Sequence, residues 1–106
     1  MFISGPVVVS SQQKIQFTAI LPPKCNPLET KWFKIQNDTY IEIDFNAKDY
    51  DRRNITGDII TQSVEIPNVP GNFCEYQLCL EGMKSNKIKV FLEGIYCFLC
   101  FYAKKK

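Results

Sequence analysis

The feature of this chain that most constrains its fold is a period-two alternation of apolar and polar residues. It is clearest in three segments, residues 14–21, 40–46 and 87–92. Neighbouring side chains of a β-strand point to opposite faces, so alternation predicts strands that are buried on one side only. The side chains predicted to face the core are Ile15, Phe17, Ala19, Leu21, Ile41, Ile43, Phe45, Ile88, Val90 and Leu92.

Five further segments favour strands less strongly, and turn-forming residues separate them. They span residues 7–10, 32–36, 59–66, 73–80 and 95–102. Short strands at this spacing predict an all-β fold, an antiparallel β-sandwich of two sheets. The 106 residues suffice for one domain, residues 1–106, with a short basic tail at 104–106.

Composition narrows the classes of function. The chain has no histidine, which excludes Ser-His-Asp and Cys-His catalysis, and its net charge of +2 is too small to indicate a nucleic-acid partner. We therefore expect no enzyme activity, no catalytic residues and no cofactor. The longest apolar run, residues 95–103, is about half of a membrane span, which argues against membrane insertion. No secretory signal is visible, which favours a cytoplasmic protein.

The five cysteines, an odd number, fit a disulfide framework poorly. Cys97 and Cys100 have the spacing of a zinc or redox motif, but Phe98 and Leu99 between them do not form the polar turn that a metal knuckle needs. We expect free thiols and no metal. Two glycosylation triplets begin at Asn37 and Asn54; without a signal peptide we expect them to be unused and to mark loops.

The densest polar display follows Tyr40. If this segment is one strand, Glu42, Asp44, Asn46 and Lys48 share a face, either as a solvated surface or as a hydrogen-bonding platform for a sugar. Residues 48–54 read as a charged loop. Trp32 lies outward if Phe33 points inward, and could then stack on a sugar; packing in the core or at an edge is the alternative.

Three segments together resemble the galectin family of lectins. The galectin strand apolar-x-apolar-His-Phe-Asn-Pro-Arg is matched by residues 41–48, Ile-Glu-Ile-Asp-Phe-Asn-Ala-Lys. A later galectin motif, Pro-Phe-x-x-Gly-x-x-Phe-Glu, is matched at Pro67, Gly71 and Glu75. The strand that closes in Asn-Gly is matched by residues 91–94, Phe-Leu-Glu-Gly.

This resemblance implies a galectin-like jelly roll that binds a glycan or glycoprotein of the β-galactoside class. The sugar-binding residues it implies are Asp44, Asn46, Lys48 and Asn54. It also implies free cysteines, export without a signal peptide and a tendency to form homodimers. Only Asn46 is identical to the family's residue, and the family's stacking Trp and its Glu-Arg pair are absent, with Gly57, Ile60 and Gln62 at those places. We therefore expect weakened or lost β-galactoside specificity.

Two alternatives stay open at this point. One is a non-lectin protein-interaction or structural domain on the same kind of sandwich. The other is a secreted immunoglobulin-like or lipid-binding domain with disulfides. A count of free thiols separates the last from the others.

Overall fold

A computed structural model describes residues 1–93 of the chain. The predicted strand at 95–102, the pair Cys97 and Cys100, and the basic tail lie outside the described residues. Within the described residues the architecture is all-β. The strands are β1 (Phe2–Ser4), β2 (Val8–Val9), β3 (Ile15–Leu21), β4 (Lys31–Gln36), β5 (Thr39–Glu42), β6 (Asp51–Ile55), β7 (Ile60–Ile66), β8 (Glu75–Leu80), β9 (Met83–Lys84), β10 (Ile88–Lys89) and β11 (Phe91–Leu92). Short 3₁₀ helices span Pro27–Glu29 and Pro70–Asn72.

The strands form two antiparallel sheets and one small parallel pair. The four-stranded sheet has the order β1-β3-β7-β6, and the five-stranded sheet has the order β10-β8-β4-β5 with β9 also paired to β8. β2 pairs with β11 in parallel, so the expectation of antiparallel neighbours throughout is wrong at this one place.

Alternation predicts β3 correctly. Ile15, Phe17, Ala19 and Leu21 are all buried and the residues between them are exposed. Its partner β7 presents Val64 and Ile66 to the same side. These apolar rows give the four-stranded sheet one dry face.

An aromatic cluster joins the dry faces of the two sheets. The ring of Phe17 lies 6.1 Å from that of Trp32 and 5.0 Å from that of Tyr76, measured between centroids. Phe17 belongs to the four-stranded sheet, whereas Trp32 and Tyr76 belong to the five-stranded sheet. Trp32 is fully buried, so of the two interpretations of this residue, core packing is the correct one.

The hairpin between β4 and β5 has a two-residue turn, Asn37-Asp38. Both residues have positive φ, 50° and 63°, which is the signature of a type I′ turn and matches the twist of the flanking strands. Asn37 is exposed in this turn, as its glycosylation triplet suggested.

The predicted strand at 40–46 is wrong beyond Glu42. β5 ends there, and the chain then turns, with hydrogen bonds from Ala47 N to Asp44 O (3.2 Å) and from Tyr50 N to Ala47 O (3.3 Å). Ile43 is buried as expected, but Ile41 is 40% exposed. The reason is that β5 is an edge strand, so its inward side is only partly covered.

Residues 51–54, predicted as part of the charged loop 48–54, lie instead in strand β6 (Asp51–Ile55). β6 is the edge of the four-stranded sheet, where charged side chains reach water and also block further strand pairing. Asn54 therefore lies in a strand and not in a loop.

Candidate functional site

The structure separates the four residues that the sequence assigned to sugar binding. Asp44, Asn46 and Lys48 lie in the turns between β5 and β6, and Asn54 lies within β6. They do not share one strand face, because the chain crosses from one sheet to the other between Glu42 and Asp51.

Two of these four residues, Asp44 and Asn46, line the same small cleft of about 280 Å³. Its lining residues are Glu42, Ile43, Asp44, Phe45, Asn46 and Arg52. Lys48 and Asn54 do not line this cleft. The cation beside Asp44 and Asn46 is therefore Arg52 and not Lys48.

Asp44 has a structural task in this turn. Its Oδ1 accepts a hydrogen bond from the backbone N–H of Asn46 at 2.9 Å, which closes an Asx turn. One carboxylate oxygen is thereby committed to the backbone. The exposed side chain of Asn46 follows from the turn that Asp44 makes.

Arg52 is held in place from two sides. Its Nη1 donates to the backbone oxygen of Thr30 at 3.1 Å, and its guanidinium lies 5.2 Å from the centroid of the Phe45 ring. Such stacking fixes a cation on an apolar surface. Arg52 falls within residues 48–54, which the sequence predicts as a charged loop, so the local pattern does not indicate its role in the cleft.

Asn54 takes part in a buried hydrogen-bond network centred on Gln62. The Nε2 of Gln62 donates to Asn54 Oδ1 at 2.6 Å and to Pro27 O at 3.0 Å. Its Oε1 accepts from Trp32 Nε1 at 2.7 Å and lies 2.9 Å from Thr30 Oγ1. The indole of Trp32 is thus engaged in the interior, whereas Asn54 is an exposed residue whose amide oxygen is held by Gln62.

A second surface is formed by the outer face of the five-stranded sheet. Side chains of residues that are Cα partners in neighbouring strands project to the same side, and Trp32, Leu78 and Tyr76 define the inner side. We call the opposite surface the Tyr40 face. Its members are Lys31, Phe33, Ile35, Tyr40, Glu42, Glu75, Gln77, Lys84, Lys87 and Lys89.

Tyr40 is the central side chain of this face. It is 42% exposed, its hydroxyl donates to Gln77 Oε1 at 3.3 Å, and its ring meets that of Phe33 edge-on at 6.0 Å. The Gln77 amide is itself fixed by donating to Ser85 O at 2.7 Å. Tyr40 is therefore a positioned aromatic group with one side open to water.

Two lysines lie over the Tyr40 ring. The Nζ atoms of Lys84 and Lys87 are each 5.8 Å from its centroid, within the range of a cation–π contact. Neither ammonium group has a carboxylate oxygen within 4.0 Å in residues 1–93, where the ion pairs are Lys14–Glu65 and Arg53–Asp51. Within residues 1–93, neither charge is therefore compensated by a direct ion pair.

Sequence reasoning missed the Tyr40 face because its parts are distant in the chain. Residues 83–84 fall between predicted strands, and Tyr40 was only the first residue of a predicted strand. The sequence feature that indicates part of this face is the Asn37-Asp38 turn, because a two-residue turn there places Tyr40 opposite Ile35 in the hairpin.

Two titratable side chains of the core have perturbed pKa values. Burial raises the pKa of the Cys74 thiol, and burial followed by the neighbouring Cys74 raises the pKa of the Tyr76 phenol, so both stay protonated at neutral pH. The described part of the chain contains no cluster of ligands suited to a metal ion. None of its helices is long and apolar enough to cross a membrane.

A comparison with protein-family models finds no match for this sequence, and a comparison with curated proteins finds no significant match.

Proposed function

We propose that the chain is an immunoglobulin-like β-sandwich domain that binds another protein through the Tyr40 face. The strand order supports the fold assignment. In such domains strands A, B, E and D form one sheet and C′, C, F and G form the other. The order β1-β3-β7-β6 corresponds strand by strand to A-B-E-D, and the order β5-β4-β8-β10 corresponds to C′-C-F-G.

Two side-chain features of that class are present at matching positions. Trp32 on β4, which corresponds to strand C, is buried between the sheets. Tyr76 at the start of β8, which corresponds to strand F, donates its hydroxyl proton to the backbone oxygen of Asn72 at 2.5 Å. This is the geometry of a tyrosine corner.

Within residues 1–93, the inter-sheet disulfide of antibody domains has no counterpart. The position two residues after the corner tyrosine is Leu78, and we assign Ala19, an inward residue of β3, as the B-strand position opposite it. The described cysteines are Cys25, Cys74 and Cys79, and all are free. The Trp32–Gln62 hydrogen bond instead makes a polar link between the two sheets.

The fold class alone does not specify a function, so the binding role rests on the surface. The observation that carries it is the open, positioned Tyr40, whose ring is approached by two lysines that have no ion pair within residues 1–93. Tyrosine is enriched at protein interfaces because it offers a large rigid area and one polar group at low entropic cost.

Site-specific photo-crosslinking tests this role. A benzophenone amino acid placed at Tyr40 and expressed in the cells of origin should yield a discrete crosslinked protein. The control places the same group at Thr18, an exposed residue on the other sheet. Equal crosslinking from both positions, or none from Tyr40, would reject the proposed interface.

Glycan binding by a divergent galectin-like site is the second candidate. The observation that favours it is the cleft in which Asn46 and Glu42 stand beside the fixed cation of Arg52 and the apolar Phe45. Without a stacking Trp such a site has few contacts, and a millimolar ligand contributes only about −4 kcal/mol, so we expect weak or no lactose binding.

Titration with lactose and a glycan array test this candidate. Any measurable binding should fall in Asn46→Ala and persist in Lys48→Ala, because Lys48 does not line the cleft. Tight lactose binding that survives Asn46→Ala would place the sugar elsewhere on the molecule.

A further inference from the structure

The charges of the Tyr40 face are segregated along the sheet. Lys31 and Lys84 flank Cys79 in one row of Cα partners, and Lys87 joins Lys84 over the Tyr40 ring. The carboxylates lie in other rows, where Glu42 is the partner of Phe33, and Glu75 is the partner of Lys89. Three cations, Lys31, Lys84 and Lys87, therefore lie on the β8–β9 side of the face, and the carboxylate residue of this side is Glu81 in the turn between the two strands.

We propose that the protein bound by this face presents an acidic segment to Lys84 and Lys87, with Tyr40 as the contact between them. This inference rests on the proposed protein-binding function and names the chemistry of the partner. Carboxylates would supply the ion pairs that these two ammonium groups lack within residues 1–93.

The contacts of these two lysines strengthen their role in binding, because they restrict where the ammonium groups can lie. The Nζ atoms of Lys84 and Lys87 each lie 5.8 Å from the centroid of the Tyr40 ring. The hydrogen bond from the Tyr40 hydroxyl to Gln77 fixes the ring itself. A pair of cations held in this way loses less side-chain entropy on binding than two freely rotating lysines do.

A uniformly anionic polymer fits this face less well than an acidic protein segment. Glu42 and Glu75 lie on the same surface and would repel a nucleic acid or a sulfated polysaccharide that covered it. The chain as a whole carries a net charge of only +2, which is far below that of typical polyanion-binding domains. A protein segment can place its acidic residues at the lysines and other residues at the two glutamates.

Fluorescence anisotropy with a labelled oligoglutamate peptide tests the proposal on the full chain at low ionic strength. The variant Lys84→Glu/Lys87→Glu should bind at least about tenfold more weakly than the unmodified protein, because each charge reversal replaces an attraction across the interface by a repulsion. The matched control is Lys24→Glu/Lys48→Glu, which changes the net charge equally at two exposed sites, and it should stay within about twofold. Circular dichroism establishes that both variants are folded.

Three outcomes would overturn the proposal. They are no binding of oligoglutamate, equal weakening in the control pair, and heparin binding that is tighter than peptide binding and lost in Lys84→Glu/Lys87→Glu. The crosslinking experiment at Tyr40 separates this failure from that of the proposed function. A crosslinked protein without oligoglutamate binding leaves the interface in place and rejects only its acidic partner.

Discussion

At the scale of single residues, Gln62 links more parts of this molecule than any charged group described. Its side chain is fully buried and bonds to strand β4 through Trp32, to strand β6 through Asn54 and to the loop at Pro27. A buried amide is favourable only when its donors and acceptors are used, and this network uses them. The residue therefore contributes to the choice of one arrangement of the two sheets.

We expect Gln62→Leu to lower the free energy of unfolding by about 1–3 kcal/mol, because the indole N–H of Trp32 would lose its acceptor in the core. Urea denaturation of both proteins measures the change. The control is Gln16→Leu on the outer side of the same sheet, where the expected cost is about 0.5 kcal/mol or less. Equal costs at the two positions would show that the network contributes nothing beyond surface effects.

The raised pKa values of Cys74 and Tyr76 predict a loss of stability in alkali. The unfolded chain releases these protons near the ordinary values of 9.0 and 10.0, while the folded protein retains them, so stability is complete below pH 9 and falls as the pH rises. The slope is about 1.4 kcal/mol per pH unit for each proton released. Thermal melting from pH 8 upward should show the fall, and Cys74→Ala should delay its onset.

The corresponding control is Cys79→Ala. This substitution removes a thiol from the outer side of strand β8, which begins just after Cys74. It should leave the pH profile unchanged. An identical onset in Cys74→Ala and in the unmodified protein would exclude this thiol as the cause.

At the scale of elements, the first strand depends on a side chain from the other end of the described chain. Asn86 Oδ1 accepts from Ile3 N at 2.8 Å, and Asn86 Nδ2 donates to Ile3 O at 2.9 Å. The amide side chain thus imitates a neighbouring strand. It also explains why three residues suffice for β1, a strand that the sequence pattern did not predict.

We expect Asn86→Ala to loosen β1 before the rest of the fold. Hydrogen exchange at Ile3 should accelerate by about tenfold or more, since one charge-free hydrogen bond contributes about 1 kcal/mol and two are lost together. Exchange at Phe17 and Val64, in the centre of the sheet, should change much less. Uniform acceleration across β1, β3 and β7 would instead indicate a global loss of stability.

At the scale of the whole molecule, the proposed immunoglobulin-like order makes a prediction about two core positions. Ala19 and Leu78 should be close enough for a disulfide when both are replaced by cysteine, because the proposed assignment puts them at the positions of the inter-sheet bridge. The double variant Ala19→Cys/Leu78→Cys should oxidise to a single bridged species, seen as a gel shift under non-reducing conditions. Stabilisation of about 2–4 kcal/mol is typical for such a bridge.

The comparison variant is Ala19→Cys/Leu80→Cys, which moves the second thiol two residues along the same inward row. It should remain reduced, because two residues displace the side chain by about 7 Å. Bridging in both variants, or only in the second, would contradict the assigned register of the two sheets.

Much of the strand content could be predicted from the sequence, because period-two burial is a local property. β3 follows from four apolar residues at alternating positions, and its core assignments are confirmed. β4, β7 and β8 were predicted within one or two residues of their ends. The strand predicted at 40–46 is wrong beyond Glu42, because apolar and polar residues continue to alternate there although the chain leaves the sheet.

The candidate sites show where local pattern stops being informative. Alternation gave Asp44 and Asn46 a common strand face, but the tertiary structure placed them in a turn and supplied Arg52 from another strand as their cation. Nothing in the spacing of Tyr40, Lys84 and Lys87 indicates that they meet. Their meeting depends on the order of strands in the five-stranded sheet, which is fixed by how the two dry faces pack around Phe17, Trp32 and Tyr76. The sequence by itself determined strands β3, β4, β7 and β8 and the apolar side of β3, since these follow from local geometry. Strands β1 and β6, the strand order and with it both surfaces were decided only by long-range packing.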